Sequence, residues 1–174
     1  MTLDDNPVWA VYDKLRTAFL NVRYYERRLQ QTERLNFTLD IILAISAPSS
    51  AVAKLWVWDS NIGNIAWTIL LIIAAFVSVA KPLLNLSKRI KNYETLVFGY
   101  RMLHFDLYEI KTSVETSKKY DKSLQLEFKK SLQREKTLIG NCQETHEDVA
   151  VKKQAENETL DRYPVESFFV PKEV

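Results

Sequence analysis

Cysteine, histidine, glycine and proline are all scarce in this sequence of 174 residues, and each scarcity excludes something. The single cysteine, Cys142, rules out an intrachain disulfide and any cysteine-based zinc site, and it reads as a neutral residue on a polar helix. The two histidines, His104 and His146, do not stand at metal-ligand spacing. Gly-rich phosphate loops and nucleophile elbows are missing as well. No catalytic, cofactor-binding or metal-binding residue is therefore nominated, and neither an enzymatic activity nor a cofactor is expected. Arg101 with His104, and Asp106 with Glu109, lie three residues apart and read as polar pairs on a solvated helix face. Three glycines and five prolines suit a mostly helical chain, and no stretch alternates apolar and polar residues with the period of a strand. A net charge of +2 supplies no general attraction for nucleic acid.

The most informative absence is charge itself. Residues 62–80 contain no Asp, Glu, Lys or Arg, although 26% of the chain is charged. At a rise of ~1.5 Å per residue such a helix covers ~28 Å, close to the ~30 Å hydrocarbon thickness of a bilayer. A second block, residues 37–57, is less pure: Asp40 lies near its start, Lys54 near its end and Pro48 between them. Both charges can reach a headgroup region, and Ser46, Ser49 and Ser50 can bond the carbonyl that Pro48 frees. Residues 58–61 are too short to do anything but join two antiparallel neighbours. Trp56, Trp58 and Trp67 gather around that hairpin and read as an interface belt. The first apolar block begins too late for a secretory signal, so both blocks are expected to remain.

Basic residues set the expected orientation. Lys14, Arg16, Arg23, Arg27, Arg28 and Arg34 precede the first block, and Lys81, Lys88, Arg89, Lys91 and Arg101 follow the second. The hairpin has none, so it faces outward and both termini face the cytoplasm. Arg23, Arg27, Arg28, Arg34, Lys88, Arg89 and Lys91 are expected to touch lipid headgroups.

The flanks read as helices. Val8, Val11, Tyr12, Leu15, Phe19, Val22 and Leu29 recur at helical steps, capped by Asp4 or Asn6 with Pro7 following, in one helix or two nearly collinear ones. Leu86, Ile90, Tyr93, Val97, Tyr100, Leu103, Leu107, Ile110 and Val114 form a heptad-like seam expected to pack on the first flank. A further helix is expected over residues 122–158. Residues 163–174 form either an extended docking segment around Phe168 and Phe169 or a disordered end. The chain is thus expected to be an all-α membrane protein, a two-transmembrane helical hairpin with long amphipathic cytoplasmic helices. Residues 1–36 form the N-terminal amphipathic helix, 37–57 and 62–80 the spans, and 81–162 the cytoplasmic helices.

The runs RYYERRLQQTERLNF before the first span and KPLLNLSKRIKNYETLVFGYRMLHFDL after the second give this arrangement a resemblance. Over about residues 15–114 the chain resembles the SLATT family of two-transmembrane effectors, which associate with nucleotide-sensing and nucleotide-synthesising domains in bacterial conflict systems. The resemblance implies an effector of the bacterial inner membrane that assembles as a homo-oligomer and opens a pore, or otherwise breaches the membrane, when a sensor partner signals. Asp40, Ser46, Ser49 and Ser50 are the residues that could line such a pore. The alternative is a membrane-anchored helical adaptor that recruits a cytoplasmic partner through the seam or the C-terminal tail.

Overall fold

The structure, a computed structural model, describes residues 6–46, 61–142, 144 and 146–171. Regular structure among the described residues is entirely helical. Helices α1 (Val8–Ser46), α2 (Asn61–Leu84), α3 (Leu86–Ser117), α4 (Lys122–Asn141) and α5 (Val149–Arg162) are followed by a 3-10 turn over Val165–Ser167.

Local chemistry explains where these helices begin and end. Of the two candidate caps for α1, Asn6 serves: its Oδ1 accepts the Val8 N–H at 3.1 Å. The helix then runs unbroken for 39 residues, so the first flank and the start of the expected first span are one element. Pro82 lies inside α2 and does not end it. The break comes at Asn85, which takes a left-handed φ of 47°, a conformation that asparagine tolerates better than most residues.

The expected helix over 122–158 is corrected. It divides into α4 and α5, because two aspartates each start a helix. Asp121 accepts the Leu124 N–H at 3.0 Å, and Asp148 accepts those of Ala150 and Val151, both at 3.1 Å. Cys142 is therefore not on a helix face. It caps α4, its N–H bonded to the Ile139 carbonyl at 3.1 Å.

Two compact units divide the chain, Met1–Arg28 with Asn92–Val174, and Leu29–Lys91. In the first, α1 and α3 run antiparallel: Phe19 meets His104 at 5.5 Å, and Tyr25 stacks on Tyr100 at 5.6 Å. The seam buries Tyr93, Val97, Tyr100, Leu103, Leu107, Ile110 and Val114 in the same core as Val8, Val11, Tyr12, Leu15 and Val22. Helices α4 and α5 cover this pair with Leu138, Val151 and Ala155.

The tail docks on its own chain, in the extended form. Phe168 is buried and stacks on Tyr12 at 4.4 Å, while the Tyr12 hydroxyl donates to the Phe169 carbonyl at 2.5 Å. Burial pushes the Tyr12 phenol up to about 12.

In the second unit the distal half of α1 shares a compact body with α2 and the first turn of α3. Lys81 pairs with Asp40, which also accepts the Asn36 side-chain amide at 3.1 Å. Among the described residues of this unit, Ser46, Gly63, Ala74, Val77 and Leu86 are the buried positions.

Candidate functional site

The candidate site is the apolar surface of α2 and the charged groups at its base. Residues Ile62–Leu84 form the one described helix long and apolar enough to cross a membrane; its mean hydropathy is 2.2 and only 17% of it is buried. At ~1.5 Å per residue its 23 residues reach ~35 Å, enough for a bilayer core. Its burial is one-sided. Gly63, Ala74 and Val77 face inward, whereas Ile62, Ile65, Ile69, Ile72, Phe76, Val79 and Leu83 recur at three- and four-residue steps with at least 53% exposure each. A core helix of a soluble protein would bury such a row, since each large aliphatic side chain left in water forfeits about 1.5–3 kcal/mol.

The residues singled out in the sequence fall into distinct environments. Asp40 does not stand as an isolated carboxylate, because Lys81 neutralises it. Ser46 is buried, and its hydroxyl donates to its own helix, to the Ile42 carbonyl at 2.8 Å and the Leu43 carbonyl at 3.1 Å. Thr68 and Ser78 on α2 likewise return their hydroxyls to Asn64 and Ala75 carbonyls at 2.9 and 2.8 Å, which allows them to sit on an exposed apolar helix. Trp67 is half-buried on α2. Ser49, Ser50, Trp56 and Trp58, together with Pro48 and Lys54, lie outside the described residues, as do positions 47–57 of the expected first span. Positions 37–46 of that span are the end of α1, where Phe37, Ile41 and Ile45 are exposed.

The seven expected headgroup cations also separate. Arg23 pairs with Glu26 at 2.9 Å and with Glu158 at 3.3 Å; Arg27 bonds Gln154 and Glu158. Arg28 bonds Glu144 at 2.9 Å and Asp148 at 3.3 Å. All three are held inside the first unit by carboxylates from the second half of the chain. Arg34, Lys88, Arg89 and Lys91 are exposed in the second unit.

Around Arg28 lies a polar cluster that no sequence spacing announced. The Glu144 carboxylate, 10% exposed, accepts from Arg28, from the Tyr24 hydroxyl at 3.0 Å and from the Tyr93 hydroxyl at 3.3 Å. Arg28 lies 5.9 Å over the Tyr93 ring. Burial, with the Glu144 charge beside it, raises the Tyr24 phenol to about 12 and pushes Tyr93 up as well. Tyr25 is pushed up too, chiefly by burial, and its hydroxyl lies 3.2 Å from Cys142 Sγ. The one available signal was the YY-x-RR run in α1, and it does not point to a partner more than a hundred residues away.

The polar pair Arg101 and His104 is not a surface pair. Arg101 is exposed and bonds Glu26 at 2.5 Å, but His104 is half-buried among Phe19, Tyr108 and Tyr163, 2.8 Å from the Tyr163 hydroxyl. Burial, assisted by the nearby Arg162 charge, lowers the His104 pKa. Asp106 pairs with Arg134 on α4. Among the described residues no three His, Cys, Asp or Glu side chains come close enough to hold a metal ion.

Comparison of the chain with known protein families, with curated proteins and with solved structures found no match.

Proposed function

We propose that this chain is a two-transmembrane effector of the bacterial inner membrane, with both termini cytoplasmic, which oligomerises and breaches the bilayer during conflict with phage. The observation that carries the membrane reading is the row of large apolar side chains standing free on nearly every turn of α2, from Ile62 to Leu83. Lipid hydrocarbon is the solvent that such a surface fits. The first span would begin where α1 exposes Phe37, Ile41 and Ile45. The conflict role rests on the resemblance of residues 15–114 to the SLATT family. Two helices enclose no conduit, so a breach requires several copies, together with a sensor partner that supplies the signal.

The adaptor reading has its own observation. Helix α3 turns one apolar face into the core and leaves Phe98, Met102, Phe105 and Tyr108 exposed on another, a stripe at helical spacing that a partner protein could cover.

One experiment separates the two. Induced expression of the effector depolarises cells within minutes, the chain resists carbonate extraction, and a charge placed mid-helix by Ile72→Lys abolishes both. An adaptor sits in the membrane fraction without changing the potential, and loses its partner when Phe98 and Phe105 become Ser. Full recovery of the wild-type chain in plain buffer without detergent overturns both readings.

A further inference from the structure

The Asp40–Lys81 pair lies at the base of the apolar surface and joins α1 to α2. Below it, α1 carries Arg34 six residues before Asp40, about 9 Å along the helix. Past the break at Asn85, the start of α3 carries Lys88 and Arg89, seven and eight residues after Lys81 and in the same compact unit. All three cations therefore lie within eight residues of the Asp40–Lys81 pair. All three are exposed, and none makes an ion pair with a described residue. Lys91 is exposed two residues after Arg89, and the exposed carboxylates nearest in sequence are Glu33 and Glu94. Arg23, Arg27 and Arg28, in contrast, are held by Glu158, Glu144 and Asp148.

We propose that Arg34, Lys88 and Arg89 form a cationic tier that binds the phosphodiester headgroups of anionic phospholipids, and that this tier selects the leaflet and lipid class in which α2 seats. The inference rests on the membrane reading of α2. Charge complementarity assigns the occupant: three exposed cations that pair with no described residue follow closely on an apolar surface, and an anionic phospholipid presents the matching sequence of acyl chain and negative phosphate. Two of the three are arginines, whose planar guanidinium can take a phosphate through two parallel hydrogen bonds.

Reconstitution tests this. The full chain in detergent is presented to vesicles of phosphatidylcholine alone, and to vesicles with about a third phosphatidylglycerol, at low and high salt. Each cation near an anionic surface strengthens association about 5-fold at low salt, so the wild type should favour the anionic vesicles by on the order of 100-fold, and 0.5 M salt should remove most of that. The variant Arg34→Gln/Lys88→Gln/Arg89→Gln should insert equally into both. Arg34→Lys/Arg89→Lys should keep most of the preference. Lys129→Gln/Lys130→Gln/Lys136→Gln, the same charge change on exposed α4 positions, should shift it less than about 2-fold. Wild-type insertion without lipid preference, or equal loss in the α4 variant, overturns the tier and leaves the membrane reading standing. Failure to enter either vesicle overturns the membrane reading itself.

Discussion

Gly99 on α3 faces Leu138 on α4 so closely that a Cβ at position 99 would fall within the Leu138 side chain. Leu138 is buried, so its methyl has to turn against packed neighbours to make room. Alanine normally gains about 1 kcal/mol over glycine inside a helix, but overpacking costs about 1–3 kcal/mol. Gly99→Ala should therefore destabilise the first unit by about 1 kcal/mol net in thermal or denaturant unfolding. Combined with Leu138→Ala, the same substitution should turn stabilising. Strict additivity of the two changes would refute the contact.

Arg28 is the residue whose loss should be felt most at the polar cluster. Its removal leaves Glu144, 10% exposed, with the Tyr24 and Tyr93 hydroxyls as its partners among the described residues. Breaking a fully buried pair costs ~3–5 kcal/mol; Arg28 keeps 22% of its side chain exposed, so Arg28→Ala should cost about 2 kcal/mol. Adding Glu144→Ala to it should cost little more, because the stranded carboxylate goes too. A double-mutant cycle on detergent-solubilised protein measures the coupling.

The tail makes a contrast between adjacent residues. Phe168 is buried and stacked between Tyr12 and Tyr163, whereas Phe169 is half-exposed and contributes its carbonyl, with Lys118 lying 4.1 Å over its ring. Phe168→Ala should lower stability by about 3 kcal/mol and Phe169→Ala by no more than about 1. Equal losses would show that the tail is held differently. Because Phe168 belongs to the core, loss of function on changing it would say little about a docking partner; Phe169 is the cleaner probe.

His104 predicts a pH dependence. Its pKa is lowered in the fold by burial, so the unfolded chain binds the proton more readily. Stability is then complete above the unfolded value of about 6.5 and declines as the pH falls through it toward the lower folded value. His104→Asn should flatten the profile between about pH 7 and 5. Glu26 adds a second slope at lower pH: burial alone would raise its pKa, but the hydrogen bonds from Arg101 and Arg23 outweigh that and lower it. Its contribution is present above the ordinary glutamate range of about 4.3 and is lost below it. An acid stability identical in His104→Asn and wild type would remove His104 from this account.

Apolar transfer and helical periodicity are properties of contiguous residues, and they were readable in order along the chain. The helical class, the uncharged stretch that became α2, the core seam on α3 and the long amphipathic α1 all followed from them. The break between α4 and α5 was missed because its cause, an aspartate cap at Asp148 tied by its backbone N–H to the Tyr24 hydroxyl at 3.0 Å, lies partly in another helix. The arginines posed a harder problem. In sequence, Arg28 and Arg34 are equivalent basic residues before an apolar block. Only the folded chain brings Glu144 and Asp148 against Arg28 and leaves Arg34 exposed, with no ion pair among the described residues. Transfer energies add along a segment and can be summed from composition, whereas an ion pair depends on a distance between residues more than a hundred positions apart, which their order does not contain.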